Sequence, residues 1–193
     1  MVGNIANFMG IDLFRCLLRI EKPVSRSFLS SSLGLGEGTV RSILGILKSR
    51  GYLESSNAGH YLSEKGRAIA GEIKSNMEMR QISRISMFPN KKVVAIKMRN
   101  PSKTVNVVAL RDEAVKNGAE GAVILKYDRK LRFYDSDYKE DLGEMESKLE
   151  LSENDFAIVA CADSFKLAEY GAIAAAVRAS NILKNTLKKL YPV

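Results

Sequence analysis

Apolar residues recur along this chain at two different periods, and the change falls near residue 90. Before it the spacing is helical. Ile11, Phe14, Leu17 and Leu18 share one helix face, and Pro23 stops the pattern. Phe28, Leu29 and Leu33 predict a short second helix that ends at Gly34. Val40, Ile43, Leu44 and Leu47 stand at i, i+3, i+4 and i+7, so residues 37–50 form an amphipathic helix with Gly51 just past its end. Two extended runs, residues 52–54 and 60–62, flank the five-residue loop SSNAG and predict a hairpin. Ser63 opens a further helix bearing Ile69, Ile73, Met77 and Ile82, expected to run from Glu64 to about Arg84 and to pair with its twin in a homodimer.

After SMFPN, residues 86–90, the period changes. A proline beside an asparagine ends the helical pattern there, placing one domain at residues 1–85 and a second at 91–193. KKVVAIKM reads as a strand. Ser102 is expected to cap a helix carrying Val105, Val108, Ala109 and Val115, closed at Gly118. GAVILKYD and LRFYD form a hairpin around Arg129 and Lys130. DFAIVACAD is the apolar run of a central strand. Asp163 is expected to cap the long, small-residue helix that follows. The order β-α-β-β-β-α predicts a two-layer α/β sandwich with its helices over one face.

The segment Gly34-Leu35-Gly36-Glu37-Gly38 poses a choice between a phosphate-holding loop and a turn between helices. A phosphate loop follows a buried strand and leads its glycines into a helix N-terminus. Here SRSFLSSSL precedes the glycines, polar and helix-like, and no Walker lysine follows. The segment is a turn. Helix, helix, turn, helix, hairpin, helix is the order of a winged helix-turn-helix, so the fold class is a two-domain α/β protein with that head. LGLGEGTVRSILGILKSRGYL resembles winged-helix domains of bacterial and archaeal regulators, especially the N-terminal domain of the central glycolytic gene regulator. With GHYLSEKGR and the α/β domain behind it, the chain is similar to a family of uncharacterised archaeal winged-helix proteins. The resemblance implies a DNA-binding transcriptional regulator and carries no ligand with it.

In such heads the helix after the turn enters the major groove. Removing its apolar stripe leaves Glu37, Gly38, Thr39, Arg41, Ser42, Gly45 and Lys48 on the outer face. Arg41 is the candidate base reader, because a guanidinium can bond guanine O6 and N7 together. Thr39 and Ser42 are within reach of a base edge or phosphate. Gly38 and Gly45 weaken the helix by about 1 kcal/mol each relative to alanine, and allow close approach of a ligand. Arg26 and Lys48 are candidate phosphate contacts. His60, the single histidine, stands at the wing near Asn57, either as a phosphate contact or as an ordinary strand residue.

Charge adds a direction. The net charge is +8, which favours polyanionic partners. Residues 1–90 carry 12 Lys+Arg against 7 Asp+Glu, whereas residues 135–155 carry nine acidic side chains and two lysines. That acidic segment is expected to face away from nucleic acid. Two distant cysteines in apolar settings, with no leader and no long apolar run, fit a cytoplasmic protein without membrane association. One histidine and two separated cysteines offer no usual metal site, and no cofactor or catalytic residue is expected. Duplex DNA is the expected partner, with the second domain binding a small-molecule effector, dimerising, or both. The alternatives are a winged helix that docks a protein partner without reading DNA sequence, or a second domain with an enzymatic activity on a small molecule.

Overall fold

The computed structural model describes residues 8–83, 85–99 and 105–191, so Ser102 and the first residues of the chain lie outside it. It is an α/β protein with a five-stranded antiparallel sheet and two compact units. One unit comprises Met1–Lys74 together with Asn185–Val193, and the other Ser75–Lys184.

The first unit contains α1 (Gly10–Arg19), α2 (Arg26–Leu33), α3 (Glu37–Ser49), the hairpin β1 (Leu53–Ser56) and β2 (Gly59–Leu62), and α4 (Glu64–Asn76). Leu13, Phe14 and Leu17 of α1 are buried, as are Leu29 and Leu33 of α2, and Val40, Ile43 and Leu47 of α3. Among them lies a buried ion pair. Arg15 donates from Nη1 to Asp12 Oδ1 at 2.9 Å and from Nη2 to the Leu33 carbonyl at 2.8 Å. Asp12 Oδ2 in turn accepts the Met9 amide at 3.0 Å, closing the start of α1. The pair is worth having in the interior only because its hydrogen bonds are made.

The second unit contains β3 (Met77–Ile82), β4 (Lys92–Met98), α5 (Val107–Lys116), β5 (Gly121–Asp128), β6 (Lys130–Phe133), α6 (Gly143–Lys148), β7 (Phe156–Ala162) and α7 (Phe165–Ala179). The strand order is β3-β4-β7-β5-β6, with every neighbour antiparallel. β7, buried at every position, is the central strand. Val93, Ala95, Leu125 and Val159 point to one face and pack with Met145 of α6.

Several expectations change here. The helix expected over residues 64–84 stops at Asn76, and Met77–Ile82 becomes an edge strand paired with β4 from Met77↔Met98 to Ile82↔Val93. Ile82 falls off the helical stripe of Ile69 and Ile73, whereas a strand buries it opposite Val93. The long dimer helix is therefore absent. Units divide at Lys74 rather than at Pro89, because β3 completes the sheet. The chain also returns at its end: α8 (Asn181–Leu190) begins in the second unit, and its later turns belong to the first. There Arg50 Nη1 donates to the Leu190 carbonyl, and Thr186 Oγ1 to Glu72 Oε1.

Helix α5 buries Val107, Leu110 and Ala114 and leaves Val108 and Val115 in solvent, the reverse of the expected stripe. Ser164, not Asp163, caps α7 by accepting the Leu167 amide at 3.3 Å, since Asp163 is held by Lys91. Nor do all helices share one face, for α6 packs on the side that carries Val93 and Val159.

Edge strand β3 is protected from further pairing. Arg99 donates its amide to the Asn76 carbonyl at 3.0 Å, so by alternation the backbone groups of Met77, Met79 and Gln81 point away from β4. Arg80 Nη1 donates to the Met79 carbonyl and Lys148 Nζ to that of Gln81, each at 3.2 Å. Charged side chains on an outer edge of this kind discourage strand addition.

Arg15→Ala removes one partner of the buried pair and orphans the other. It is expected to lower folding stability by about 3–5 kcal/mol in urea titrations followed by far-UV circular dichroism. Replacing Arg15 and Asp12 together by Met and Leu is expected to cost less than the single change.

Candidate functional site

Gly34, Leu35 and Gly36 form the turn between α2 and α3. Ser25 Oγ accepts the Phe28 amide at 3.1 Å and starts α2. Gly34 ends it at φ 63°, in the left-handed region that glycine enters without cost. Leu35 is buried, and Ser30 donates its hydroxyl to the Leu35 carbonyl. Gly36, in extended conformation, then begins α3. This is the role expected of the glycine segment.

Burial of Val40, Ile43, Leu44 and Leu47 turns the rest of α3 outward. Glu37, Gly38, Arg41, Ser42, Gly45 and Lys48 are exposed, and Thr39 is half-buried. A methyl group added at Gly38 or Gly45 would meet nothing within 4 Å, so no packing demand explains either glycine. Ser42 returns its hydroxyl to the Gly38 carbonyl at 3.2 Å. Glu37 is not a free acid, because Arg26 reaches its Oε2 from Nη2 at 3.0 Å and from Nε at 3.2 Å. That pair ties the start of α2 to the start of α3.

The hairpin stands beside this face through a contact that the hydrophobic pattern did not foretell. Val24 and His60 exchange backbone hydrogen bonds, Val24 N–H to the His60 carbonyl at 2.9 Å and His60 N–H to the Val24 carbonyl at 2.8 Å. Val24 thus acts as a third, one-residue strand. Gly59 makes the approach feasible: at φ +125°, its Cβ would lie 2.5 Å from the Val24 carbonyl oxygen. The β-branched Val24, just past the proline that stops α1, was the available signal, because such a side chain favours extended backbone. The loop itself is shorter than expected. Ser56 pairs with Gly59, which leaves only Asn57 and Ala58 in the turn, with Asn57 exposed.

His60 is half-buried, and its Nδ1 lies 2.6 Å from Ser55 Oγ. Its pKa is lowered from 6.5, first by burial and then by the charges of Lys48 and Arg26. Three residues singled out separately in the sequence, Arg26, Lys48 and His60, therefore share one electrostatic environment. Ser55 was missed as the partner of His60, since hairpin register decides which residue lies opposite.

Other polar groups make different arrangements. Lys91 bridges Asp163 at 2.7 Å and Glu120, and these partners raise its pKa. Burial pushes the Cys16 thiol up to about 12, and burial also raises Cys161. Neither is a ready thiolate at neutral pH. Among the described residues no three His, Cys, Asp or Glu side chains group as a metal site would require, and no helix is long and apolar enough to cross a membrane.

Two family models match the chain. Residues 11–68 match the PH0730-like, N-terminal domain, and residues 89–180 match a domain of unknown function, DUF4443. Among solved structures, the chain is similar to the hypothetical protein PH0730 from Pyrococcus horikoshii OT3, at 26% identity and a TM-score of 0.77. The likeness covers 93% of this chain and 99% of that one. No curated protein matches at a significant level.

Two outcomes are expected. Gly45→Ala is expected to raise stability by about 1 kcal/mol in urea unfolding, since the helix gains and nothing clashes. His60, whose folded pKa lies below its unfolded value of 6.5, contributes stability that is complete above that pH and is lost as pH falls through the folded pKa. Proton NMR of this single histidine is expected to show a titration midpoint below 6.5, moving up in Lys48→Gln.

Proposed function

We propose that the first unit is a winged helix-turn-helix and that the protein is a cytoplasmic, non-enzymatic transcriptional regulator binding duplex DNA. In this reading α3 enters the major groove and the hairpin is the wing. One observation carries it. The outward face of α3 combines Arg41, which has no ion-pair partner among the described residues, two sterically open glycines and the neighbouring cations Lys48 and Arg26. Each part suits a polyanion. Glycines let the backbone approach the groove, Arg41 reads a base edge, and Lys48 and Arg26 meet phosphates. A phosphate bound nearby would offset the charges of Lys48 and Arg26, which after burial hold the His60 pKa down. The net charge of +8 adds long-range attraction.

The exposed surface here also speaks against an apolar docking site. Phe28 on α2 is its one large exposed apolar side chain among the described residues, and the α3 positions around Arg41 are polar or glycine. Binding as a homodimer, with half-sites about one helical turn apart, is part of the proposal.

Selection of fragmented genomic DNA by the purified protein at about 0.15 M salt tests this, with Arg41→Ala in parallel. The expected result is a discrete set of sites whose affinity Arg41→Ala lowers by about 1–3 kcal/mol, with relaxed specificity at one position. Lys48→Ala is expected to weaken binding evenly across sequences and to reduce the salt slope by about 1. Equal recovery of all fragments, or of none, by both proteins would overturn the reading.

A further inference from the structure

Helices α5 and α7 touch closely at one end and separate at the other. A Cβ at Gly171 would stand 2.5 Å from Ala119 Cβ and 2.8 Å from the Ala114 carbonyl oxygen, so the two backbones are at their nearest there. Toward the start of α5 and the end of α7 they leave a cavity of about 420 Å³, wholly within the second unit. That volume lies in the range of small-molecule sites.

The wall has two chemistries. Leu110, Phe156 and Ala174 are buried side chains that form an apolar floor. Arg178 and Lys184 stand in the wall with Glu113. Arg178 is held only loosely by Glu113, at 3.6 Å, and is half exposed. Lys184 makes no ion pair among the described residues. Two cations face one carboxylate, which leaves an uncompensated positive charge at the mouth of an apolar recess. Asn106, the N-cap of α5, lies in the same wall and places the positive end of that helix beside it.

We infer that this cavity binds a small organic anion with an apolar body, its carboxylate held by Arg178 and Lys184 and its hydrocarbon part lying on Leu110, Phe156 and Ala174. Glu113 then exchanges part of its hold on Arg178 for solvent as the ligand enters. A hydrocarbon alone would leave the cations unmatched, and a bare inorganic anion would leave the floor wet. This site goes beyond the DNA-binding reading and does not depend on it.

Octanoate is the probe. Saturation-transfer NMR with the full-length protein, at up to 10 mM octanoate, is expected to show binding. Amide shifts are expected to be confined to the residues lining the cavity. The double variant Arg178→Gln, Lys184→Gln is expected to weaken binding at least tenfold. Both side chains are exposed enough to change without loss of the fold, which circular dichroism checks. Octanol and inorganic phosphate, each lacking half of the ligand, are expected to bind at least tenfold more weakly. Absence of saturation transfer, shifts elsewhere, unchanged affinity in the double variant, or equal binding of octanol or phosphate would each overturn the assignment. No DNA enters the experiment, so its failure is distinct from failure of the proposed regulator role.

Discussion

A guanidinium shut away from water sets the geometry of the first unit. Arg15 is 1% exposed and Asp12 0% exposed, and together they leave no choice about how α1 meets the end of α2. Arg15 finds its second acceptor at the Leu33 carbonyl, one residue before the left-handed Gly34. A helix's last carbonyls lack partners within the helix, so this bond satisfies a group that would otherwise need water. It thereby fixes the place from which the turn departs. Gly34, Leu35 and Gly36 then set the direction of α3, and everything presented by α3 follows from that direction.

The outward face is a consequence of core demand. Once Val40, Ile43, Leu44 and Leu47 are committed inward, Arg41 and Lys48 fall on the exposed side of the helix. Lys48 does not stand alone. The Val24–His60 exchange draws the hairpin alongside and brings His60 into the field of Lys48 and Arg26. Like charges gathered around a single acid, Glu37, oppose one another. Such a group is costly in the free protein and is relieved by an anionic partner. Glu37 offsets Arg26 only, by a contact in which both side chains remain largely in water. Exposed pairs of that kind contribute little to stability and exchange readily with a competing phosphate.

In the second unit the same tension between packing and charge has a different outcome. Gly171 lets α7 settle onto the end of α5, and the later turns of α7 draw away from the first turns of α5 over an apolar floor. The sheet below is firm, with β7 buried at every position and its outer edge at β3 blunted by Arg80 and Lys148. A rigid sheet under two splayed helices keeps a recess open that a softer core would close.

Local periodicity determined α1, α2, α3 and the start of α4, because each buries a stripe whose spacing is a property of the helix itself. The role of the glycine turn was equally legible, since Gly34 has a conformation that few other residues adopt cheaply. Arg41 and Lys48 could be placed outward by subtraction from the apolar stripe. Position in the tertiary structure decided the rest. Met77–Ile82 is compatible with either a helix or a strand, and β4 settled it by offering a partner edge and a site for Ile82 opposite Val93. Two apolar stripes compete on α5, and contact with α7 selected Val107, Leu110 and Ala114 over Val108 and Val115. Return of α8 to the first unit, and the meeting of Val24 with His60, join residues far apart in the chain. No local pattern encodes such pairings, because their free energy resides in surfaces that exist only after the chain has folded.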